Sequence, residues 1–322
     1  MTKQRQILGV NTSRNLDKSL IAEFQYRPNH SSLSLIRSDA LLELGDFAGS
    51  AKAAESMMSL KPNLASYSRA SHLRWLQGDL AGAKEVARLA VDASAPGESS
   101  AWAIAEAATL FWHDADVDGA EAGYDLALTR MGNFPPALVG KGRVEWSRGK
   151  PALAAQHFAK AMELYPTAET AWLLGDALDE AGDKAAADAA YAEVLKHGKA
   201  GDRRTLAYFY AVKNQEPAEA VRLIERELKD RGDTYTHDVA SWVYLRAGRL
   251  EDARRESDLA SKLGTRDARL FFHAGAIRVA QGEGAEGVIL IQQALKQNPH
   301  FDRTQAREAK ALLEAQGIKA AR

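Results

Sequence analysis

His237, Asp238 and Ser241 bring the ingredients of a nucleophilic relay close together in the chain. On a helix they would be neighbours on one surface, and no glycine-rich elbow lifts the serine out of its turn as such a nucleophile requires. Gly282-Glu283-Gly284-Ala285-Glu286-Gly287 spells a dinucleotide fingerprint. That motif works only after a strand and at the start of a helix, where backbone N–H groups face a pyrophosphate. Here it lies between two helix-length segments. The eight histidines are scattered along the chain without an HExxH pair, and with no cysteine there is no thiolate to complete a zinc site. The residues therefore predict no catalytic group, no metal and no cofactor. Asn11-Thr12-Ser13 and Asn29-His30-Ser31 match glycosylation acceptors, which matter only in a glycosylating route.

The composition narrows the partners. The 322 residues carry 42 Lys+Arg against 43 Asp+Glu, a net charge of −1, which argues against a nucleic-acid or polybasic membrane-surface binder. The first apolar stretch runs only from Ile7 to Val10, short of the ~7–15 residues of a secretory signal. Nothing approaches the ~18 apolar residues of a membrane span. A cytoplasmic protein without membrane insertion is expected.

A turn signature recurs along the chain. Gly45-Asp46-Phe47 returns as Gly78-Asp79-Leu80, Ala115-Asp116-Val117, Gly149-Lys150-Pro151 and Gly182-Asp183-Lys184, then as Gln215-Glu216-Pro217, Gly248-Arg249-Leu250 and Gly282-Glu283-Gly284. The spacings are 33, 37, 34, 33, 33, 33 and 34 residues. Each turn is flanked by helix-length segments rich in Ala and Leu, so the unit is a helical hairpin. One hairpin cannot bury its apolar face alone, and the units must stack into a single solenoid.

These hairpins resemble the tetratricopeptide repeat. Counting the turn glycine as the fifteenth position, small residues fall at the eighth and twentieth places, a large one at the twenty-fourth and alanine at the twenty-seventh. Gly142, Ala154, Phe158 and Ala161 in the fourth unit match throughout, as do Gly175, Ala187 and Tyr191 in the fifth. The sixth unit departs: Tyr208 stands where a small residue belongs, unless one inserted residue in its turn hands that place to Ala207. The resemblance implies an all-α right-handed superhelix of about eight repeats with terminal capping helices and an elongated, curved shape. Units near 31–63, 64–100, 101–134, 135–167, 168–200, 201–233, 234–267 and 268–300 form one solenoid over 16–316. Leu16 to Tyr26 supplies the helix before them and 304–316 the cap after them. Residues 1–15 and 317–322 are tails.

The resemblance also implies that positions 2, 5, 9, 12 and 13 of each first helix face the concave groove. All six tryptophans fall there: Trp75, Trp112 and Trp146 at position 12, Trp102 at 2, Trp172 at 5 and Trp242 at 9. His72, His113, Arg143, Asp176, Asp179, Glu180, Tyr235, Asp238 and Arg246 share the stripe. The expected activity is non-catalytic binding of a protein or peptide segment along this groove, apolar in its middle, acidic near Arg143 and basic toward Asp176 and Asp179. Self-association into a structural scaffold is the alternative. The asparagine and lysine clamp by which some repeats of this kind hold chaperone tails is absent.

Overall fold

A left-handed residue sits in each sharp reversal, and in four of the eight hairpins a capping aspartate follows it. At Gly182 the backbone takes φ +91°, which glycine adopts without the clash a Cβ would bring. Asp183 then accepts the amide N–H of Ala186 at 3.1 Å and starts the next helix. Asp46, Asp79 and Asp116 cap in the same way, on Gly49, Gly82 and Gly119 at 2.8, 2.9 and 2.8 Å. In the third turn Ala115 takes the left-handed place, at φ +57°.

The computed structural model describes residues 31–318, and its regular elements are all α-helices. Helices α1 (Ser31–Glu43) and α2 (Phe47–Leu60) pair, as do α3 (Leu64–Leu76) and α4 (Leu80–Asp92), and α5 (Glu98–His113) and α6 (Val117–Arg130). Next come α7 (Pro135–Ser147) with α8 (Pro151–Leu164), and α9 (Ala168–Glu180) with α10 (Lys184–Gly201). Then follow α11 (Arg203–Val212) with α12 (Pro217–Glu227), α13 (Thr234–Arg246) with α14 (Leu250–Ser261), and α15 (Ala268–Ala280) with α16 (Gly284–Gln297). A last helix, α17 (Arg303–Ala315), packs on α15 and α16. The helix read from Leu16 to Tyr26 lies outside the described residues.

Small residues set the hairpin spacing. A Cβ added to Gly142 would stand 2.3 Å from the Phe158 ring, and one on Gly175 would stand 2.4 Å from Tyr191. In the first hairpin the hydroxyls of Ser38 and Ser50 meet at 3.1 Å, and in the second Ser71 donates to the carbonyl of Ala83 at 2.8 Å. The sixth hairpin turns through residues 213–216, one residue more than the other hairpins use, with Asn214 and Glu216 both left-handed at φ +51° and +45°. The extra residue gives the close-packing place to Ala207, which is fully buried. Tyr208 is thereby carried round to the concave side.

Successive turns of the solenoid touch. Gly232 donates its N–H to the carbonyl of Glu43 at 2.9 Å, and a Cβ on Gly45 would stand 2.5 Å from the Gly232 carbonyl oxygen. Thr265 Oγ1 donates to the carbonyl of Leu76 at 2.6 Å across 189 residues. Asn298 Nδ2 donates to the carbonyl of Trp112 at 2.7 Å across 186, and Gln297 to that of His113 across 184. These separations equal about five and a half repeats. The expectation of an open concave groove is corrected accordingly: the loops of late units lie over early ones and wall in the space between them.

Candidate binding cavity

Among the described residues, the concave side holds a cavity of ≈ 220 Å³. Trp112 reaches it from α5, Arg143 and Trp146 from α7, Trp172 and Asp176 from α9. Arg204 and Tyr208 come from α11, Tyr235 from α13 and Arg269 from α15. The segment from His300 to Arg303, leading into α17, closes the far wall. The rings are held by their polar atoms. Trp146 Nε1 donates to Glu180 Oε2 and Trp172 Nε1 to Asp176 Oδ2, both at 3.0 Å. Asp176 also accepts from the Tyr191 hydroxyl at 2.7 Å and from Lys213 at 2.6 Å. Trp172 meets Tyr208 edge-on at 5.2 Å.

Arg269 sits between the rings of Tyr208 and Tyr235, 5.3 Å from each, and its Nε donates to Asp238 Oδ2 at 2.9 Å. Burial works against its charge, but the Asp238 carboxylate leads the groups that hold its pKa above the usual range. Burial likewise pushes Asp238 up, and His273 and Arg269 outweigh it and hold the carboxyl below its usual value. Behind this pair a buried chain continues: His273 Nδ1 lies 2.8 Å from Asp238 Oδ1, and its Nε2 lies 2.8 Å from Gln305 Nε2. Gln305 Oε1 accepts from the Tyr208 hydroxyl at 2.8 Å. Because an amide nitrogen only donates, His273 Nε2 is the acceptor and Nδ1 carries the proton. The chain ties α17 to the cavity floor. Burial also raises the Asp302 carboxyl and lowers the pKa of His113.

No family model and no curated protein matches the chain. Solved structures do. A human IFIT1 dimer with PPP-AAAA superposes with a TM-score of 0.52 at 13% identity, over 87% of this chain and 67% of that one. The APC/C hetero-tetramer Cut9–Hcn1 gives 0.49 at 14% identity over 92% of this chain, which spans 58% of its counterpart's length. A tetratricopeptide repeat protein from Parabacteroides merdae gives 0.42 at 16% identity, over 78% and 98%. With the hairpins, their period and their small-residue contacts, the fold is settled. The chain has the fold of a tetratricopeptide-repeat solenoid.

Within this solenoid the cavity brings together Trp112, Arg143, Trp146, Trp172, Asp176 and Tyr235 of the residues singled out in the sequence. Others on the stripe are used differently, which corrects the picture of a continuous tryptophan-lined groove. Trp75 is 3% exposed, donates to the Tyr235 hydroxyl at 3.0 Å and stacks on His113 at 4.4 Å, so it belongs to the contact between turns. Trp242 is wholly buried, between His273 at 4.3 Å and the Arg246 guanidinium at 4.4 Å. Arg246 itself is held by Glu308 of α17. Trp102 is exposed, apart from the cavity, and Asp179 pairs with Lys184 at 2.6 Å. His72 is exposed and does not line the cavity. The relay ingredients do not assemble: His237 turns to Glu256 at 2.7 Å, and Ser241 donates to the carbonyl of Asp238. Gly284 opens α16 after another helix, not after a strand.

Arg204, Tyr208 and Arg269 were missed in the sequence. Arg269 stands at position 2 of its unit, a concave place the register already provides. Arg204 and Tyr208 reach positions 5 and 9 only once the inserted residue of the sixth turn is counted.

Proposed function

We propose that the chain is a non-catalytic binding scaffold whose partner, a protein or peptide, inserts one anchoring group into the central cavity. The observation that carries this reading is the wall of Trp112, Trp146, Trp172 and Tyr208 around ≈ 220 Å³ of space. The Trp146, Trp172 and Tyr208 polar atoms are engaged within the protein, so the small part of each ring that reaches the cavity, with the residues only 6–7% exposed, is apolar. Flat rings with few torsions offer large contact area at little entropic cost. The volume lies below the ~300–1,000 Å³ of common ligand pockets, which suits one anchor and not the extended segment expected from an open groove. Among the described residues no helix is long and apolar enough to cross a membrane.

Selection from a random peptide library tests the reading, with Ser147→Trp as the counter-selected protein because Ser147 lines the cavity. Peptides recovered on the native chain should bind the filled variant at least about tenfold more weakly, a loss of ~1.4 kcal/mol. Leu173→Trp, which fills the same space from α9, guards against a folding defect in the first variant. Peptides that bind all three proteins alike, or a library that yields none, would refute the proposal.

A further inference from the structure

We infer that the anchoring group is an oxyanion, a carboxylate or phosphoryl group carried on a flat apolar body; this rests on the cavity being the binding site. Four arginines line the cavity; Arg303 is paired with both carboxylate oxygens of Glu180, and the other three, from three helices, each spend only part of their donor set on the protein. Arg143 Nη2 donates to Glu169 at 2.6 Å, Arg204 Nη1 reaches Asp233 and Thr236 at 3.3 Å, and Arg269 Nε reaches Asp238 at 2.9 Å. Their other N–H groups have no partner among the described residues, and none of these is sealed from solvent as Arg246 Nε is. The three side chains remain 29%, 31% and 28% exposed while lining the cavity.

The carboxylates nearby do not make the same demand. Asp238 and Asp233 lie behind the arginines, 1% and 12% exposed, and Asp176 already accepts from three donors. Asp302 accepts the amide N–H of Gln305 at 2.8 Å. Glu169 is 61% exposed. The unmet hydrogen-bonding capacity of the cavity is therefore donor capacity on guanidiniums, whose fork matches an oxyanion. Rings of Trp112, Trp146 and Tyr235 beside it favour a flat apolar neighbour to that group. A cation would meet three like charges. This reverses the basic anchor expected from the sequence near Asp176.

Benzoate, phenyl phosphate, inorganic phosphate and benzylammonium, each titrated into the full chain, provide the test. Tryptophan fluorescence and calorimetry are the readouts. Benzoate or phenyl phosphate should saturate below roughly 10 mM, more tightly than inorganic phosphate, with benzylammonium inert. Arg143→Gln and Arg204→Gln should each weaken binding by about tenfold; both are partly exposed, so their circular dichroism should remain native. Arg269→Gln should abolish it, but takes from the buried Asp238 one of its two partners, leaving only His273, and is read only if it folds.

A short peptide ending in phenylalanine separates the two sources of the anion. Tighter binding of its free acid than of benzoate, lost on amidation, places the oxyanion on a partner chain; the reverse order places it on a free small molecule. Binding of benzylammonium equal to benzoate, arginine variants that bind benzoate normally, or no saturation with either aromatic anion would overturn the inference. Cavity-dependent peptides that lack an acid would leave the scaffold reading standing and remove only this one. Anion binding without any peptide binder would do the converse.

Discussion

Ala115 holds with a Cβ the left-handed place that Gly182 holds without one, at φ +57° against +91°. The steric cost of that region for an L-residue is ~1–2 kcal/mol, partly offset by the greater backbone entropy glycine loses on folding. Ala115→Gly is therefore expected to stabilise the chain by up to about 1 kcal/mol, and Gly182→Ala to destabilise it similarly, read as shifts in the urea midpoint. No change in either would show that these turns do not govern stability. Single residues were also where the site was partly legible. The helical period put all six tryptophans on one stripe, because a stripe depends only on spacing. Whether a ring on that stripe opens to a cavity, as Trp146 does, or is covered, as Trp75 is by Tyr235, depends on residues far away in sequence.

Between neighbouring elements, charge pairs tie one hairpin to the next. Glu121 on α6 lies 2.7 Å from both Lys141 and Arg148, at α7 and its end. The hydrogen bond from Arg148, then that from Lys141, holds the carboxyl down to about 2. A carboxyl whose folded pKa lies below its unfolded value of ~4.3 adds stability above that value and loses it as pH falls through the folded one. Glu121→Gln should thus cost less than about 1 kcal/mol at pH 7, as suits a partly exposed pair. The gap between the two proteins should close between pH ~4.5 and ~2 in thermal melts. A gap that persists unchanged at pH 2 would assign the effect to packing. Element order was readable because each hairpin carries its own turn signal. The short α11 was the exception: its turn lacks both the glycine and the aspartate, so the inserted residue that moves Tyr208 and Arg204 inward was visible only as an alternative.

At the scale of the whole molecule, the contacts between turns decide what the concave face becomes. Thr265→Val with Asn298→Ala removes the hydrogen bonds to the carbonyls of Leu76 and Trp112, each worth about 1–3 kcal/mol when a buried acceptor is left unsatisfied. Helicity should be retained, since hairpin contacts are local. The radius of gyration in small-angle scattering should grow and tryptophan emission shift to the red as Trp75 and Trp112 become wetter. Native scattering and emission in the double variant would show that the solenoid stays wound without these bonds. None of this winding was legible in the sequence. The period reports how one unit meets the next, whereas the separation at which turns meet follows from small rotations accumulated over several units.

Gly45 against Gly232, Leu76 against Thr265 and Trp112 against Asn298 advance together, unit by unit, like the flanks of a screw thread. A thread has a pitch, and its pitch constrains how such a gene can change length. Duplicating or losing one repeat between these contacts would slip every upper loop by one notch and set Thr265 or Asn298 against a partner it does not fit. Repeats added at either end leave the existing mesh in phase. Growth of the array is thereby channelled to its ends, while its middle is fixed in number by the fit of one turn on another.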